Sequence, residues 1–349
     1  MTAYFSELGM FVNIAIFAAC CVIVWIAGTR LAGYADEISE RTGLGEALVG
    51  LLLLAGVTSL PEIATSLTAA GIGNAPLAVN NLLGSIAMQV ALLGLADAVY
   101  GKRALTSVVP DPVVMLQGSL NIILLSAVAI AAVMGDIAFA GGGAWSWGFA
   151  LASLFAIHKL VEANDRKPWV ANIQDDEFLE GGDHARELQI TNLRLGLMTG
   201  LMAIFILAAG SVVALSGEAI AEQSGLGASF MGYAFVAIAT SLPEASTVFA
   251  SMKRGLYTMA ISDIFGTNIL NILLIFIVDL VDTGAPVMQR VGDFSAMAAL
   301  LGLTVTGLFI MGLAERRDRA FLRMGTDSIA ALITYLGGLA LLYLLKGAT

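Results

Sequence analysis

Ionisable side chains are scarce in this chain of 349 residues, of which Asp, Glu, Lys and Arg make up only 13%. A soluble domain contains about 25% charged residues. Hydrophobic residues account for 58%, and the mean hydropathy is +0.87. The composition therefore excludes a soluble protein and predicts a protein embedded in the lipid bilayer, which is its expected partner. The net charge of −10 mostly reflects acidic residues in connecting loops, above all the segment 162–190. That segment lacks the ligand spacing of an EF-hand loop, and the net charge gives no reason to expect a nucleic-acid partner.

Cysteine and histidine are also nearly absent, with two residues of each. Cys20 and Cys21 are adjacent in an apolar run, which suits neither a disulfide framework nor a thiolate metal site. Intramembrane enzymes need paired aspartates, a serine with a histidine, or a zinc motif. Neither His158 nor His184 lies within the repeated segments described below. An intramembrane enzyme is therefore a remote alternative, and no cofactor is expected.

Long apolar runs are abundant. A run of about 20 residues spans the hydrocarbon core of a bilayer, and the chain contains ten of them. They cover residues 9–29, 45–71, 75–98, 112–134, 142–161, 193–216, 228–252, 256–279, 291–313 and 327–346. The N-terminal segment lacks the basic stretch of a cleaved signal peptide, so the first run is predicted to be a permanent span.

Lys and Arg are distributed unequally between the loops that ten spans would place on alternate sides. All 17 of them except Arg290 and Lys346 fall on one side. Cytoplasmic loops carry the excess of Lys and Arg. We therefore expect a multi-pass protein of the cell membrane, the inner membrane where there are two, with both termini on the non-cytoplasmic side.

The chain contains an internal repeat, because residues 40–97 align without a gap on residues 222–279 at a constant offset of 182. A five-residue motif recurs in full within this alignment. Its copies are Thr58-Ser59-Leu60-Pro61-Glu62 and Thr240-Ser241-Leu242-Pro243-Glu244. One copy alone would be read as a proline-kinked packing helix, but a gap-free duplication favours a function.

Five spans separate equivalent points of the two copies, and because five is odd, the copies must cross the membrane in opposite directions. Inverted repeats of this kind are typical of secondary transporters. We expect an all-α integral membrane protein with ten transmembrane helices in two inverted-topology five-helix repeats. The first repeat would occupy residues 1–161 and the second residues 192–349, joined by a cytoplasmic linker at 162–191.

The repeated motif combines the groups that bind a hard cation. A carboxylate inside an apolar run costs several kcal/mol unless it has a partner or an ion. Proline lacks an N–H and frees a backbone carbonyl about one turn upstream. Hydroxyls, carbonyls and a carboxylate together form an oxygen-rich site. We expect Glu62 and Glu244 to face each other near the middle of the membrane.

The helix that follows each motif carries a polar stripe. Asn81, Ser85 and Gln89 are spaced at i, i+4 and i+8, so they share one helix face. Their counterparts at the offset of 182 are Asp263, Thr267 and Asn271. For Asn81 and Asn268, hydrogen bonding between helices is as good an interpretation as ion binding. For Ser85, Thr267, Gln89 and Asn271 we favour ion ligands, whereas Asp263 lies two turns from Asn271.

The two motifs and the Gly84-Ser85 and Gly266-Thr267 turns that follow them resemble the cation/calcium exchanger superfamily, specifically its prokaryotic sodium/calcium exchangers. The resemblance implies a secondary antiporter that exchanges Na⁺ for Ca²⁺ by alternating access, with the first and sixth helices sliding against the other eight. It also implies a ligand set. Calcium ligands would be Glu62, Glu244, Thr58 and Thr240, and flanking sodium ligands would be Ser59, Ser85, Ser241, Thr267 and the carbonyls of Ala55 and Ala237.

The chain departs from the family pattern at several positions. Val57 and Ala239 stand where glycine usually precedes the motif, and Gln89 and Asn271 stand where the family has Asn or Asp. Two carboxylates match one Ca²⁺, and exchange for several Na⁺ would move net charge. A proton-coupled antiporter remains open, since a carboxyl group removed from water also carries H⁺. A channel is a further alternative, although it needs no paired inverted site.

Overall fold

The computed structural model describes residues 2–42, 55–100, 103–109, 111–166, 191–253, 255–318, 320–321 and 324–345. Most of the described residues are helical. The helices are α1 (Thr2–Glu7), α2 (Met10–Thr42), α3 (Ala55–Thr58), α4 (Leu60–Gly71), α5 (Ala75–Tyr100), α6 (Leu105–Val108), α7 (Val113–Met134), α8 (Ala144–Arg166), α9 (Asn192–Ser224), α10 (Ala228–Phe230), a π segment (Met231–Val236), α11 (Ala237–Thr240), α12 (Leu242–Lys253), α13 (Tyr257–Val281), α14 (Val287–Arg290), α15 (Gly292–Glu315) and α16 (Thr326–Leu345).

Eight of the described helices are long and apolar enough to cross a membrane, and the segment from α10 to α12 would make a ninth if it is one bent span. Residues 45–54, which begin the second predicted span, lie outside the described residues, as does most of the predicted linker at 162–191. The structure confirms a multi-pass helical protein. The predicted count of ten spans stays a prediction.

Two helices are longer than the apolar runs that predicted them. From residue 10 onward the expected span 9–29 lies within α2, and the expected span 193–216 lies within α9; each of these helices is 33 residues long. Hydropathy marks the part of a helix that fits the hydrocarbon core. Backbone hydrogen bonding continues beyond it through polar residues with good helix propensity, such as Arg, Glu and Ala.

Helices α5 and α13 form the centre of the protein. Their most apolar windows are 78% and 67% buried, against 22% for α2 and α16. A helix that is apolar on all sides is suited to the interior of a bundle. The two helices that carry the polar stripes are therefore surrounded by other helices, whereas α2 and α16 present large apolar side chains such as Phe11 and Leu344 outward.

Two short antiparallel hairpins, which the sequence analysis did not predict, precede α8 and α16. Strand β1 (Ala138–Phe139) pairs with β2 (Gly142–Gly143), and β3 (Ala320–Phe321) pairs with β4 (Met324–Gly325). The hairpins are related by the same offset of 182 residues. The internal symmetry therefore extends beyond the segments that align in sequence.

Two buried aspartates connect each half of the chain to the other. Asp97, near the end of α5, accepts hydrogen bonds from the Leu105 N–H at 3.0 Å, the Gly325 N–H at 2.9 Å and the Ser328 hydroxyl at 2.8 Å. Asp279, near the end of α13, accepts from the equivalent donors, which are the N–H groups of Val287 and Gly143 and the hydroxyl of Ser146. Each carboxylate thus binds the hairpin and helix start of the opposite half.

Helices α2 and α9 cross the motif helices of the opposite halves at equivalent points. A Cβ atom on Gly28 of α2 would overlap the ring of Pro243. A Cβ atom on Gly210 of α9 would lie 2.8 Å from Cβ of Ala64, one turn after Pro61. Glycine at these two positions lets the long helices approach the two proline-containing motifs closely.

Candidate functional site

Both copies of the motif break a helix. The break between α3 and α4 is at Ser59, and the break between α11 and α12 is at Ser241, where the axis bends by 48°. Proline two residues further on has no N–H to donate to a carbonyl one turn earlier. As a result Glu62 and Glu244 lie in the first turns of α4 and α12. The N-terminal end of a helix is favourable for a negative charge.

The second break is preceded by the π segment, residues Met231–Val236. Single π turns inside α-helices occur frequently at functional sites. The equivalent residues of the first copy lie outside the described part of the chain. The backbone is therefore irregular on both sides of Ala237 and Thr240, two of the predicted ligands.

The structure brings Glu62 and Glu244 together in the interior. Both side chains are 0% exposed, and Ser241, three residues before Glu244 in the chain, donates a hydrogen bond to Glu62. Among the described residues neither forms an ion pair with a basic side chain. An unpaired buried charge is very costly. The pair therefore requires cations from outside the chain.

The surroundings of the two glutamates are reciprocal. The Ser241 hydroxyl donates to Glu62 Oε1 at 3.1 Å, and the hydroxyls of Thr240 and Ser85 interact with the same carboxylate. The Thr58 hydroxyl interacts with Glu244, although neither oxygen of that carboxylate accepts a hydrogen bond of normal geometry. Each glutamate thus meets the threonine of the opposite motif.

The polar stripe of α5 closes the site on one side. Ser85 Oγ lies 3.4 Å from Thr240 Oγ1, and the Gln89 amide donates to Ser241 Oγ at 3.1 Å. Thr240 Oγ1 also lies 3.2 Å from Asn81 Oδ1. Predicted ligands from both repeats therefore meet in one network.

Several buried oxygen atoms of the predicted ligand set have no hydrogen-bond partner among the described residues. Buried polar atoms in proteins are normally paired. The unpaired oxygens are Glu62 Oε2, Glu244 Oε1 and Oε2, Gln89 Oε1, Thr267 Oγ1 and Asn271 Oδ1. Carboxylate, amide and hydroxyl oxygens are the ligands of Ca²⁺. The donor set fits a hard cation.

Two of the predicted ligands are already engaged. The Ala55 carbonyl accepts from Ser59 Oγ at 2.6 Å and from Ser59 N at 3.1 Å. The Ala237 carbonyl accepts from Ser241 N at 3.1 Å and lies 3.3 Å from Thr240 Oγ1. An ion bound at either carbonyl would therefore also meet the hydroxyl beside it, which is that of Ser59 for Ala55 and that of Thr240 for Ala237.

One polar residue at the site was missed. The predicted ligand set lacks Asp263, which lies two turns from Asn271 along α13. Asp263 nevertheless interacts electrostatically with Glu244, which lies on the neighbouring helix α12. The equivalence of Asp263 to Asn81, which touches Thr240, was the sequence signal that could have identified it.

Comparisons with known proteins identify the family and the fold. The sodium/calcium exchanger protein family matches residues 12–160 and 195–345. The chain is 26% identical over 285 residues to the inner membrane protein YrbG of Escherichia coli (strain K12), covering 79% of this chain and 80% of that protein. It is 25% identical over 281 residues to the sodium/calcium exchanger MaX1 of Methanosarcina acetivorans, covering 69% and 75%.

A solved structure of the sodium-calcium exchanger NCX_Mj has the same fold. Its TM-score is 0.61 at 17% identity, and the match covers 95% of this chain and 99% of NCX_Mj. At this identity the likeness concerns the fold alone. The family match covers most of the chain, including both copies of the motif and the helices that follow them. The chain belongs to the sodium/calcium exchanger protein family, and it is a multi-pass transmembrane cation antiporter.

Proposed function

We propose that the protein exchanges Na⁺ for Ca²⁺ at one shared site between Glu62 and Glu244. The observation that carries the proposal is the pair of fully buried glutamates, related by the repeat offset and without a basic partner among the described residues. Their two charges match one Ca²⁺. The family and the name of the relative MaX1 support Na⁺ as the counter-ion.

In this proposal Ca²⁺ binds between the two carboxylates, and Thr58 and Thr240 complete its coordination. The amide oxygens of Gln89 and Asn271 are neutral ligands at the same level. Sodium ions bind on either side, at Ser85 and Ser241 with the Ala237 carbonyl, and at Ser59 and Thr267 with the Ala55 carbonyl, because α5 packs against α11 and α13 packs against α3. Ser241 already bridges Glu62 and Gln89, so an ion at one position alters the ligands of the next.

Coupling follows from competition for the glutamates. Na⁺ and Ca²⁺ both take oxygen ligands. The two ions therefore compete for the same carboxylate oxygens, and binding of one weakens binding of the other. Exchange of one Ca²⁺ for several Na⁺ would carry net charge. The protein would therefore be electrogenic.

We further propose that the ten predicted helices form two inverted repeats, with both termini on the non-cytoplasmic side. The reciprocal hydrogen bonds of Asp97 and Asp279 and the equivalent packing of Gly28 and Gly210 support a pseudo-two-fold relation between the halves. Such a relation lets the site open to one side of the membrane while it closes to the other side. This is the geometry that alternating access requires.

Proton coupling is the second candidate. It is favoured by the Glu244 carboxylate, which accepts no hydrogen bond of normal geometry and could take a proton in place of a metal ion. Asn271, which has no charge, also reduces the negative charge available to attract Na⁺. The two candidates differ in the gradient that drives calcium transport.

Transport in proteoliposomes separates the candidates. Vesicles loaded with Na⁺ and diluted into Na⁺-free medium at equal pH on both sides should take up ⁴⁵Ca²⁺. If more than two Na⁺ leave for each Ca²⁺, net positive charge moves outward, and an inside-positive potential should accelerate this uptake. Vesicles with a pH gradient and no Na⁺ are the matched control. Uptake that follows the pH gradient alone would refute sodium coupling, and absence of uptake under either gradient would refute calcium antiport.

A further inference from the structure

A third buried carboxylate, Asp263 of α13, lies beside the central pair and outside the ligand set assigned above. Its side chain is 1% exposed. Asp263 Oδ2 lies 2.5 Å from Thr247 Oγ1. Its other oxygen, Oδ1, has no hydrogen-bond partner among the described residues.

The hydrogen bond to Asp263 is shared. Thr247 Oγ1 also lies 3.0 Å from the Glu244 carbonyl oxygen. A hydroxyl has one proton to donate, so it cannot satisfy both acceptors. Asp263 therefore receives at most one donor, and shares it.

Two matched residues show how unusual this is within the same protein. Asp279, on the same helix, accepts hydrogen bonds from three donors. Asn81, the equivalent of Asp263 at the repeat offset, uses both ends of its amide, which donates to Ser66 Oγ at 3.1 Å and lies 3.2 Å from Thr240 Oγ1. Asp263 has neither three donors, as Asp279 has, nor a partner at each of its two polar atoms, as Asn81 has.

No basic group of the described chain compensates Asp263. Asp263 interacts electrostatically with Glu244 on α12, which carries the same sign of charge. The other elements packed against α13 are α3, α4, α5, α7, α8 and β2. The acidic residues of α4 and α5 are Glu62 and Asp97, and Asp97 has its own three donors. Helix α8 contributes His158, Lys159, Glu162 and its terminal residues, and Lys253 ends α12. Lys159 pairs with Glu162 at 2.8 Å, and Lys253 is exposed.

We propose that Asp263 and Thr247 form a binding position for one monovalent cation, Na⁺ or H⁺, on one side of the central pair. A single buried carboxylate is neutralised by a single positive charge. Eight residues of helix, about 12 Å, separate Asp263 from Asn271. The position is therefore displaced toward the Tyr257 end of α13. At the mirrored position the neutral Asn81 is fully bonded, so the two sides of the site are chemically unequal.

The inference rests on the proposed function only in that the cation reaches Asp263 by the same path as the transported ions. Its test is binding to the purified full-length protein in detergent. Equilibrium dialysis with ²²Na⁺ at fixed pH counts bound sodium, and infrared difference spectroscopy detects the carbonyl band of a protonated carboxyl group. Asp263→Asn is compared with the wild type, and Asp279→Asn, the same substitution on the same helix, is the control.

If Na⁺ is the occupant, Asp263→Asn should bind one ²²Na⁺ fewer than the wild type. If H⁺ is the occupant, the sodium count should stay and one protonated carboxyl band should disappear. Asp279→Asn should change neither. An unchanged sodium count together with unchanged carboxyl bands in folded Asp263→Asn would overturn the inference.

Two further measurements keep the result interpretable. If Asp263→Asn does not fold, Thr247→Val is used, and it should weaken ²²Na⁺ binding about tenfold or shift the carboxyl band; no change in either would also overturn the inference. Sodium-driven ⁴⁵Ca²⁺ uptake by the wild type is recorded on the same preparation. Failure of that uptake would count against the proposed exchange, not against the cation position at Asp263.

Discussion

Neutralising one of the two central glutamates should impair calcium binding far more than sodium binding. Glu62→Gln and Glu244→Gln keep the side-chain shape and remove one charge from a site that is 0% exposed. At an effective dielectric constant of about 20, a carboxylate about 4 Å from a divalent cation contributes about 8 kcal/mol, and about half of that for Na⁺. Most of this attraction only offsets the free-energy cost of removing water from the ions.

Even if only a quarter of the attraction survives, calcium affinity should fall by about 2 kcal/mol, or about 30-fold. Sodium affinity should fall by about 1 kcal/mol, or about fivefold. The assay is initial ⁴⁵Ca²⁺ uptake against calcium concentration in sodium-loaded proteoliposomes, with sodium dependence measured separately. Glu222→Gln, which changes an exposed glutamate on α9, is the matched control. Equal losses for both ions, or wild-type exchange by either folded variant, would refute the reasoning.

Three further predictions concern the neighbouring polar residues. Asn271→Asp should make calcium exchange more sensitive to acid, because a third negative charge makes the glutamates hold protons more readily; an unchanged pH profile would show that residue 271 does not face the ions. Gln89→Ala should reduce exchange less than either glutamate change, since water can replace a neutral ligand. Asp97→Asn and Asp279→Asn should each cost about 2–3 kcal/mol of stability, seen as similar drops in thermal unfolding temperature; unequal drops would argue against equivalent roles.

The internal duplication explains why so much of the site could be predicted from the sequence. Residues separated by 182 positions occupy equivalent places in the fold, so both glutamates are expected, and found, at helix breaks in the interior. Proline two residues after a serine indicated where the helices break, and the breaks at Ser59 and Ser241 agree with it. A helix break at proline is a local effect of the backbone, so it can be predicted from one sequence.

The features that the sequence did not reveal depend on contacts between distant segments. The hairpins before α8 and α16 are held by Asp279 and Asp97 from the opposite halves, and neither hairpin has a long alternating pattern. Asp263 was judged by its spacing on its own helix, but its partner Thr247 comes from α12. Contacts between distant segments therefore determine both where the hairpins form and what surrounds Asp263.

Competition between the two ions at equilibrium tests the central claim most directly. Binding of ⁴⁵Ca²⁺ to the purified wild-type protein would be measured at fixed pH and ionic strength while Na⁺ replaces a large organic cation. A shared site between Glu62 and Glu244 predicts that Na⁺ raises the apparent dissociation constant for Ca²⁺ without lowering the number of calcium ions bound at saturation. Calcium binding that is insensitive to Na⁺, or a reduced maximum with an unchanged dissociation constant, would contradict it.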